Sequence, residues 1–261
     1  MIERKDFVKD GIFAVAAGPC AIESEEQIYT IAKPLSLMGV NGLRGMFRKP
    51  RTNPADFQGI GLGVLPTLEQ IKKETGLIII SEIMDKEDLE PTRGSVDIIQ
   101  IGSRNMQNYP LLSACKEDGR PVILKRGLIS TVKEWLGAAR YIGLDKVILC
   151  ERGVRAGSEG EDIRFTLDIG GALAARMSGL PVIGDPSHPA GKRGLVPGLA
   201  RAIAASGLDG MIIEVHENPE QALCDAKQQL PLETFKEVLA QVRAIHRASN
   251  LQILVAQGGR I

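Results

Sequence analysis

Short apolar runs alternate with longer amphipathic stretches along the chain. Most of the apolar runs are continuous, which is typical of parallel strands buried on both faces. The pattern predicts strands at 13–17, 42–46, 77–81, 97–101, 121–125, 146–150, 181–185 and 210–215. Helices are predicted to lie between them, at about 24–38, 67–75, 85–92, 108–118, 131–142, 166–178, 197–206 and 232–248.

Eight strand–helix units in succession predict an α/β protein with a closed (β/α)8 TIM barrel. The 261 residues match the roughly 250 that such a barrel needs, so we expect a single catalytic domain over 1–261. Residues 1–10 are predicted to be a short extension over the bottom of the barrel, and no separate regulatory domain is expected. An open doubly wound sheet is the alternative. It would call for a G-x-G-x-x-G turn after the first strand, where the chain has AAGPC.

Charge and composition narrow the classes of partner. Lys+Arg and Asp+Glu both number 32, and no basic stripe is present, which argues against nucleic-acid binding. No apolar run approaches the ~20 residues of a membrane span, and the charged N-terminus is unlike a signal peptide. The four cysteines form no C-x-x-C pair. We therefore expect a cytoplasmic protein with reduced thiols.

Seven basic side chains lie where predicted strands end, the face on which barrel enzymes carry their active sites. Guanidinium forks bind phosphate and carboxylate in bidentate fashion, and ammonium groups act as point charges. Such local clusters in a neutral chain predict a site for small anions. A structural ring of salt bridges is the alternative, but Glu151 is the only matching carboxylate that these strand ends offer. The seven are Arg44, Lys49, Arg51, Arg104, Lys125, Arg152 and Arg155.

The loop after the second predicted strand concentrates several of these groups. It carries Lys49, Arg51 and Thr52, and it is interrupted by Pro50 and Pro54. Two prolines exclude a regular helix here and stiffen the loop. A rigid basic loop favours anion binding over a merely solvated surface.

A second set of side chains combines a thiol, an imidazole and two carboxylates: Cys20, His188, Glu214 and Asp225. They follow the first, seventh and eighth predicted strands, which are neighbours in a closed barrel. Together they predict one divalent metal site, and the mixed donors permit Mn, Fe, Co or Zn. Cys20 alone would more often be a small buried hydrophobe. Glu82, at the end of the third strand, could orient a base or a water, or could be a helix N-terminal charge.

Segments in this order resemble the 3-deoxy-D-arabino-heptulosonate 7-phosphate (DAHP) synthase family, in particular its compact bacterial and archaeal branch. The likeness covers nearly the whole chain, and many long segments in the right order make it specific. The segments are GPCAIES (18–24), LRGMFRKPRTNP (43–54), SEIMD (81–85), IQIGSRNMQN (99–108), ILKRG (123–127), ILCERGVR (148–155), DPSH (185–188) and IEVHENPEQALCDAKQQL (213–230).

The resemblance implies roles at matching positions. Cys20, His188, Glu214 and Asp225 match the ligands of a divalent metal. The groups that match those binding phosphoenolpyruvate are Arg44, Ser103, Arg104, Lys125 and Arg152, with Arg155 as a second candidate for the phosphate. The segment Lys49, Pro50, Arg51 and Thr52 matches the loop that binds erythrose 4-phosphate. Lys49, His188 and Glu82 are the candidates for proton transfer, unranked.

The implied activity is a metal-dependent condensation of phosphoenolpyruvate with erythrose 4-phosphate, the first step of the shikimate pathway, by a homodimer or homotetramer. The related 3-deoxy-D-manno-octulosonate 8-phosphate synthase, which uses arabinose 5-phosphate, is the alternative. It resembles K-A-N-R-S where this chain has K-P-R-T. A Schiff-base aldolase using Lys125 and a non-catalytic phosphosugar-binding protein are further alternatives.

Overall fold

Eight parallel strands form a closed barrel in the order β1 to β8. The structure is a computed structural model that describes residues 2–157 and 159–249. It confirms the predicted (β/α)8 TIM barrel, while 250–261 of the expected single domain lie outside the described residues. The strands are β1 (Ala14–Gly18), β2 (Gly42–Arg44), β3 (Ile78–Glu82), β4 (Ile98–Ile101), β5 (Val122–Lys125), β6 (Val147–Glu151), β7 (Val182–Gly184) and β8 (Gly210–Glu214).

Helices follow the strands on the outside, and local sequence sets several of their ends. Ser24 accepts a hydrogen bond from the Gln27 N–H at the start of α2, and Thr131 with Glu134 forms a capping box at α5. Among the described residues, no helix combines the length and apolarity needed to cross a membrane. The helices are α1 (Arg4–Phe7), α2 (Glu25–Leu37), α3 (Leu65–Thr75), α4 (Tyr109–Asp118), α5 (Val132–Ile142), α6 (Ile169–Arg176), α7 (Ser187–Ala190), α8 (Val196–Ala205) and α9 (Leu232–Ser249).

Two apolar clusters hold the barrel together. The inner one stacks small and branched side chains such as Ala16, Ile123 and Ile212, and it includes Phe7 from the N-terminal segment. Phe7 lies beside Gly42 at the start of β2, so its ring covers the N-terminal end of the barrel. The outer cluster packs the helices on the strands. With the bottom covered by an apolar ring, polar side chains collect at the opposite end.

The predicted helix at 85–92 is wrong. Only a 3₁₀ turn, Lys86–Asp88, forms there, and turns follow it. Pro91 disfavours a helical conformation at the residue before it and lacks an N–H. The buried Arg120 guanidinium instead donates to the carbonyls of Leu89, Thr92 and Val96 at 2.8, 3.1 and 3.1 Å. A distant side chain thus satisfies the carbonyls of the turns that form in place of the predicted helix.

Gly210→Ala should destabilise the barrel where it closes. A Cβ at Gly210 would lie 2.3 Å from the Ala14 carbonyl oxygen, so the β1–β8 seam must shift. Overpacking of this kind costs about 1–3 kcal/mol. Gly137→Ala in α5 is the matched control, because a Cβ there meets nothing within 4 Å and a mid-helix alanine should stabilise by up to about 1 kcal/mol. Urea unfolding measures both; equal stability of the two variants would contradict the prediction.

Candidate active site

A single pocket at the C-terminal ends of the strands collects most of the predicted site residues. Glu214 is fully buried beside this pocket, where it accepts a hydrogen bond from Arg44. Arg155 is exposed and does not contribute to the lining. The predicted residues that line the pocket are Cys20, Arg44, Lys49, Pro50, Arg51, Thr52, Glu82, Ser103, Arg104, Lys125, Arg152, His188 and Asp225.

The four predicted metal ligands converge, through two overlapping groups. Ligand atoms of His188, Glu214 and Asp225 lie within 4.8 Å of one another, and so do those of Cys20, Cys224 and Asp225. Asp225 belongs to both groups and so joins them. The strands explain the convergence, because Gly18 at the end of β1 pairs with Glu214 at the end of β8.

His188 is held in an orientation suited to binding a metal. Its Nδ1 lies 2.7 Å from Asp185 Oδ2, and its Nε2 lies 3.6 Å from Glu214 Oε1. Burial lowers the pKa of His188 to about 4, against the opposing charge of Asp185. The imidazole is therefore neutral at pH 7, and a carboxylate on one nitrogen directs the other toward Glu214. Histidine ligands are commonly fixed in this way.

The cluster attracts a positive charge. The Lys49 ammonium lies 2.9 Å from Cys224 Sγ and 2.5 Å from Asp225 Oδ2, and it also contacts Cys20 Sγ. Although burial opposes it, the positive charge of the Lys49 ammonium holds the pKa of the Asp225 carboxyl well below its usual range. Thiol, imidazole and carboxylate donors around one point fit a borderline divalent ion, and the donor types permit Mn, Fe, Co or Zn.

The opposite wall of the pocket is cationic. Arg152 stacks over the Phe165 ring at 4.5 Å, is 6% exposed, and leaves one terminal nitrogen without a hydrogen-bond partner. The buried Ser103 hydroxyl likewise has no partner. Arg104 approaches the Thr52 hydroxyl at 3.4 Å, which brings the loops after β4 and β2 together. Buried donors without partners are uncommon, and here they suit an anionic ligand.

Arg44 and Arg51 are, like Lys49, paired with carboxylates. Arg44 donates to Glu214 Oε1 at 3.2 Å and to the Cys20 carbonyl at 2.8 Å. Arg51 binds Asp56 at 3.2 Å, within its own loop. Arg44 therefore braces the ligand side of the site, although its Nε has no partner, and Arg51 stiffens the loop.

Glu82 is a buried carboxyl at the floor of the pocket. It is 7% exposed and accepts a hydrogen bond from Gln100 at 3.1 Å. Burial raises its pKa, against the opposing charges of Lys125 and Lys49. Gly102 leaves room for this carboxyl, because a Cβ there would lie 2.2 Å from Glu82 Oε1 and would force the side chain to move. A carboxyl with a raised pKa is better suited to exchanging a proton with a ligand than an ordinary surface carboxylate.

Sequence reasoning missed several contributors. Asp185, fully buried, accepts from Lys125 at 2.7 Å, so Glu151 is not the only carboxylate available to the basic strand ends. Glu151 pairs instead with Arg126, at 3.1 Å. Asp185 lies in the DPSH segment, where its position just after a strand was a usable signal. Arg164, Phe165 and Cys224 lie in loops whose paths the sequence does not specify.

Cationic groups and a metal-type donor cluster in one pocket, at the C-terminal face of a (β/α)8 barrel, define an enzyme of the anion-binding barrel class. Comparison with known proteins assigns it further. The model of the DAHP synthetase I family matches residues 7–248, so the chain belongs to that family.

Relatives in this family carry two names. The chain is 42% identical over 250 residues to phospho-2-dehydro-3-deoxyheptonate aldolase of Thermotoga maritima, covering 94% of this chain and 73% of that protein. It is 33% identical to 2-dehydro-3-deoxyphosphooctonate aldolase of Desulfatibacillum aliphaticivorans, and the match covers 90% of this chain and 92% of that protein. A crystal structure of the Thermotoga protein superposes with a TM-score of 0.87 over 92% of this chain and 71% of that one.

Asp185→Asn should destabilise the fold, because it leaves the Lys125 ammonium buried without its partner. Loss of one member of a buried ion pair costs about 3–5 kcal/mol. In a double-mutant cycle with Lys125→Met, the double variant should lose at least about 1 kcal/mol less than the sum of the singles. Urea unfolding gives the free energies. Lys192→Met, which breaks an exposed pair with Asp162, is the control and should be silent; additive losses at Asp185 and Lys125 would refute the coupling.

Proposed function

We propose that this chain condenses phosphoenolpyruvate with D-erythrose 4-phosphate and water to give 3-deoxy-D-arabino-heptulosonate 7-phosphate and inorganic phosphate, the first step of the shikimate pathway. One observation carries the proposal: a cationic wall that includes Arg152, with an unpartnered terminal nitrogen, and a divalent-metal donor set share a single pocket. The Thermotoga maritima relative, at 42% identity, is named phospho-2-dehydro-3-deoxyheptonate aldolase, and this name matches the proposed activity.

The cationic wall solves the electrostatic problem of the reaction. The two substrates bring two phosphates and a carboxylate together, and at intermediate dielectric such charges repel by several kcal/mol. Lys125, Arg104 and Arg152 are assigned to phosphoenolpyruvate, with the Ser103 hydroxyl as a further donor. Arg164 adds a cation at the same rim. Neutralisation and fixed orientation are together the main contribution of this wall.

The loop Lys49–Thr52 is assigned to erythrose 4-phosphate. Pro50 and the Arg51–Asp56 pair limit its motion, which reduces the entropy lost when a ligand binds. The Arg104–Thr52 contact places the loop beside the groups assigned to phosphoenolpyruvate. The aldehyde carbon and the enol carbon can therefore meet between the two walls.

One divalent ion would be held by Cys20, His188, Glu214 and Asp225. When bound, it supplies Lewis-acid polarisation of an aldehyde oxygen. Glu214 is braced for this role by Arg44 and by Gln228, whose Nε2 donates to it at 2.6 Å. A homo-oligomer and a cytoplasmic location, expected from sequence, remain part of the proposal.

The protein's own side chains handle the protons. C3 of phosphoenolpyruvate bonds to the aldehyde carbon, water adds at C2, and the C2–O bond to phosphate breaks. Lys49, a cation that lines the pocket, is assigned to protonate the new alkoxide. Glu82, whose pKa is raised, is assigned to accept a proton from the water. Both nitrogens of His188 face carboxylates, which favours a ligand role for it over proton transfer.

The alternatives explain the site less well. A Schiff-base aldolase needs a neutral lysine, whereas the Lys125 ammonium is paired with a fully buried carboxylate. A non-catalytic phosphosugar-binding protein would use the cations but leaves the donor cluster without a purpose. The octulosonate-type reaction uses the same chemistry, and the choice of acceptor sugar distinguishes it.

Phosphate release from phosphoenolpyruvate tests the proposal directly. We expect release with erythrose 4-phosphate, little with arabinose 5-phosphate, loss of activity in EDTA, and recovery with Mn²⁺ or Zn²⁺. Preference for arabinose 5-phosphate would overturn the assignment of Lys49–Thr52. Activity that persists in EDTA, after the protein is shown to be metal-free, would overturn the metal role.

A matched pair of variants decides which arginine holds the phosphate. Arg152→Ala removes a buried cation from the pocket wall and should lower kcat/KM about 100-fold, as expected for the loss of charge-assisted hydrogen bonds worth about 1.5–3 kcal/mol each. Arg155→Ala removes an exposed cation outside the lining and should change kcat/KM less than about twofold. Steady-state kinetics measure both, and the reverse order would assign the phosphate to Arg155.

A further inference from the structure

We propose that Cys224 is a second sulfur ligand of the metal centre, so that the bound ion is held by two thiolates rather than by Cys20 alone. The inference rests on the metal part of the proposed function and adds a ligand to it. Cys224 directly precedes the predicted ligand Asp225, yet neither its sequence context nor the family resemblance singled it out.

The positions of the donor atoms carry the argument. The Sγ atoms of Cys224 and Cys20 lie 3.2 Å apart, and a carboxylate oxygen of Asp225 lies 3.1 Å from Cys20 Sγ. Two thiolates bound to one tetrahedral ion at ~2.3 Å stand roughly 3.8 Å apart, so only a small adjustment is needed. A cation already contacts all three side chains, since the Lys49 ammonium lies among them. The position therefore favours a positive charge on electrostatic grounds.

The backbone is built to hold the two cysteines together. Gln229, which is fully buried, accepts from the Cys20 N–H at 3.0 Å and donates to the Cys224 carbonyl at 2.7 Å. Asp225 is the one non-glycine residue with positive φ among the described residues, at 48°. Strained backbone of this kind tends to be kept at functional sites. Here it lets consecutive side chains, Cys224 and Asp225, turn toward the same point.

Binding of the ion by the two thiols requires the release of their protons. Each thiol loses its proton to solvent and donates a sulfur lone pair to the ion, and the Lys49 ammonium moves away from the point that the ion takes. Two sulfurs make the donor set softer, which should favour Zn²⁺ and Co²⁺ over Mn²⁺.

Cobalt spectroscopy on the full chain tests the assignment without using turnover. Metal-free protein is titrated with CoCl₂ under a non-thiol reductant, and the sulfur-to-cobalt charge-transfer absorption is recorded. We expect Cys224→Ser and Cys20→Ser each to lose about half of the intensity, and the double variant to lose all of it. Zn²⁺ affinity should fall at least about tenfold in Cys224→Ser. Cys115→Ser, in the remote helix α4, is the matched control and should leave the spectrum unchanged.

A Cys224→Ser spectrum equal to that of the wild type, with unchanged Zn²⁺ affinity, would overturn the second sulfur but leave the metal site intact. A wild-type chain that binds no Co²⁺ would instead overturn the metal part of the proposed function. If Cys224→Ser does not fold, alkylation of the wild type with and without Zn²⁺ replaces it. Protection of Cys224 as strong as that of Cys20 supports the inference, and labelling of Cys224 at its metal-free rate overturns it.

Discussion

The buried carboxylate of Asp185 is the interaction on which the site depends. Its Oδ2 lies 2.7 Å from both Lys125 Nζ and His188 Nδ1, and its Oδ1 accepts the N–H groups of Ser187 and His188 at 3.0 Å. One side chain thus connects the cationic wall to the metal-type cluster. Although burial opposes it, His188 and Lys125 hold the pKa of Asp185 well below its usual range, so the connection stays ionic.

Burying this many charges is possible because nearly all of them are paired. Arg44 with Glu214 and Lys125 with Asp185 are each 5% exposed or less. Such pairs do little for net stability, because desolvation offsets their attraction, but losing one partner is costly. Their main effect is to fix the positions of these side chains around the pocket. Unpaired donors on Arg152 and Ser103 then remain in the pocket, and the proposed function gives them to the substrate.

The two walls of the pocket also divide the chemistry. In the proposed function, groups at the ends of β4 to β6 hold and neutralise anions, and groups near β1, β7 and β8 surround a cation. Lys49 connects the two walls, since it lies in the loop assigned to erythrose 4-phosphate yet contacts the donor cluster. If both assignments hold, the position of this ammonium couples metal binding to the acceptor loop. Cys224 extends the same cluster and would tune which ion it prefers.

The sequence by itself determined the barrel, the order of its strands and most of the residues in its pocket. Short continuous apolar runs that alternate with amphipathic helices are typical of parallel strands covered by helices, and parallel closure brings their C-terminal ends together. Tertiary structure alone decided the rest. The bonds of Arg120 to the turns after Asp88, the pairing of Asp185 with Lys125, and the approach of Cys224 to Cys20 join residues far apart in the chain. Such contacts depend on loop paths and side-chain directions, which no local pattern encodes.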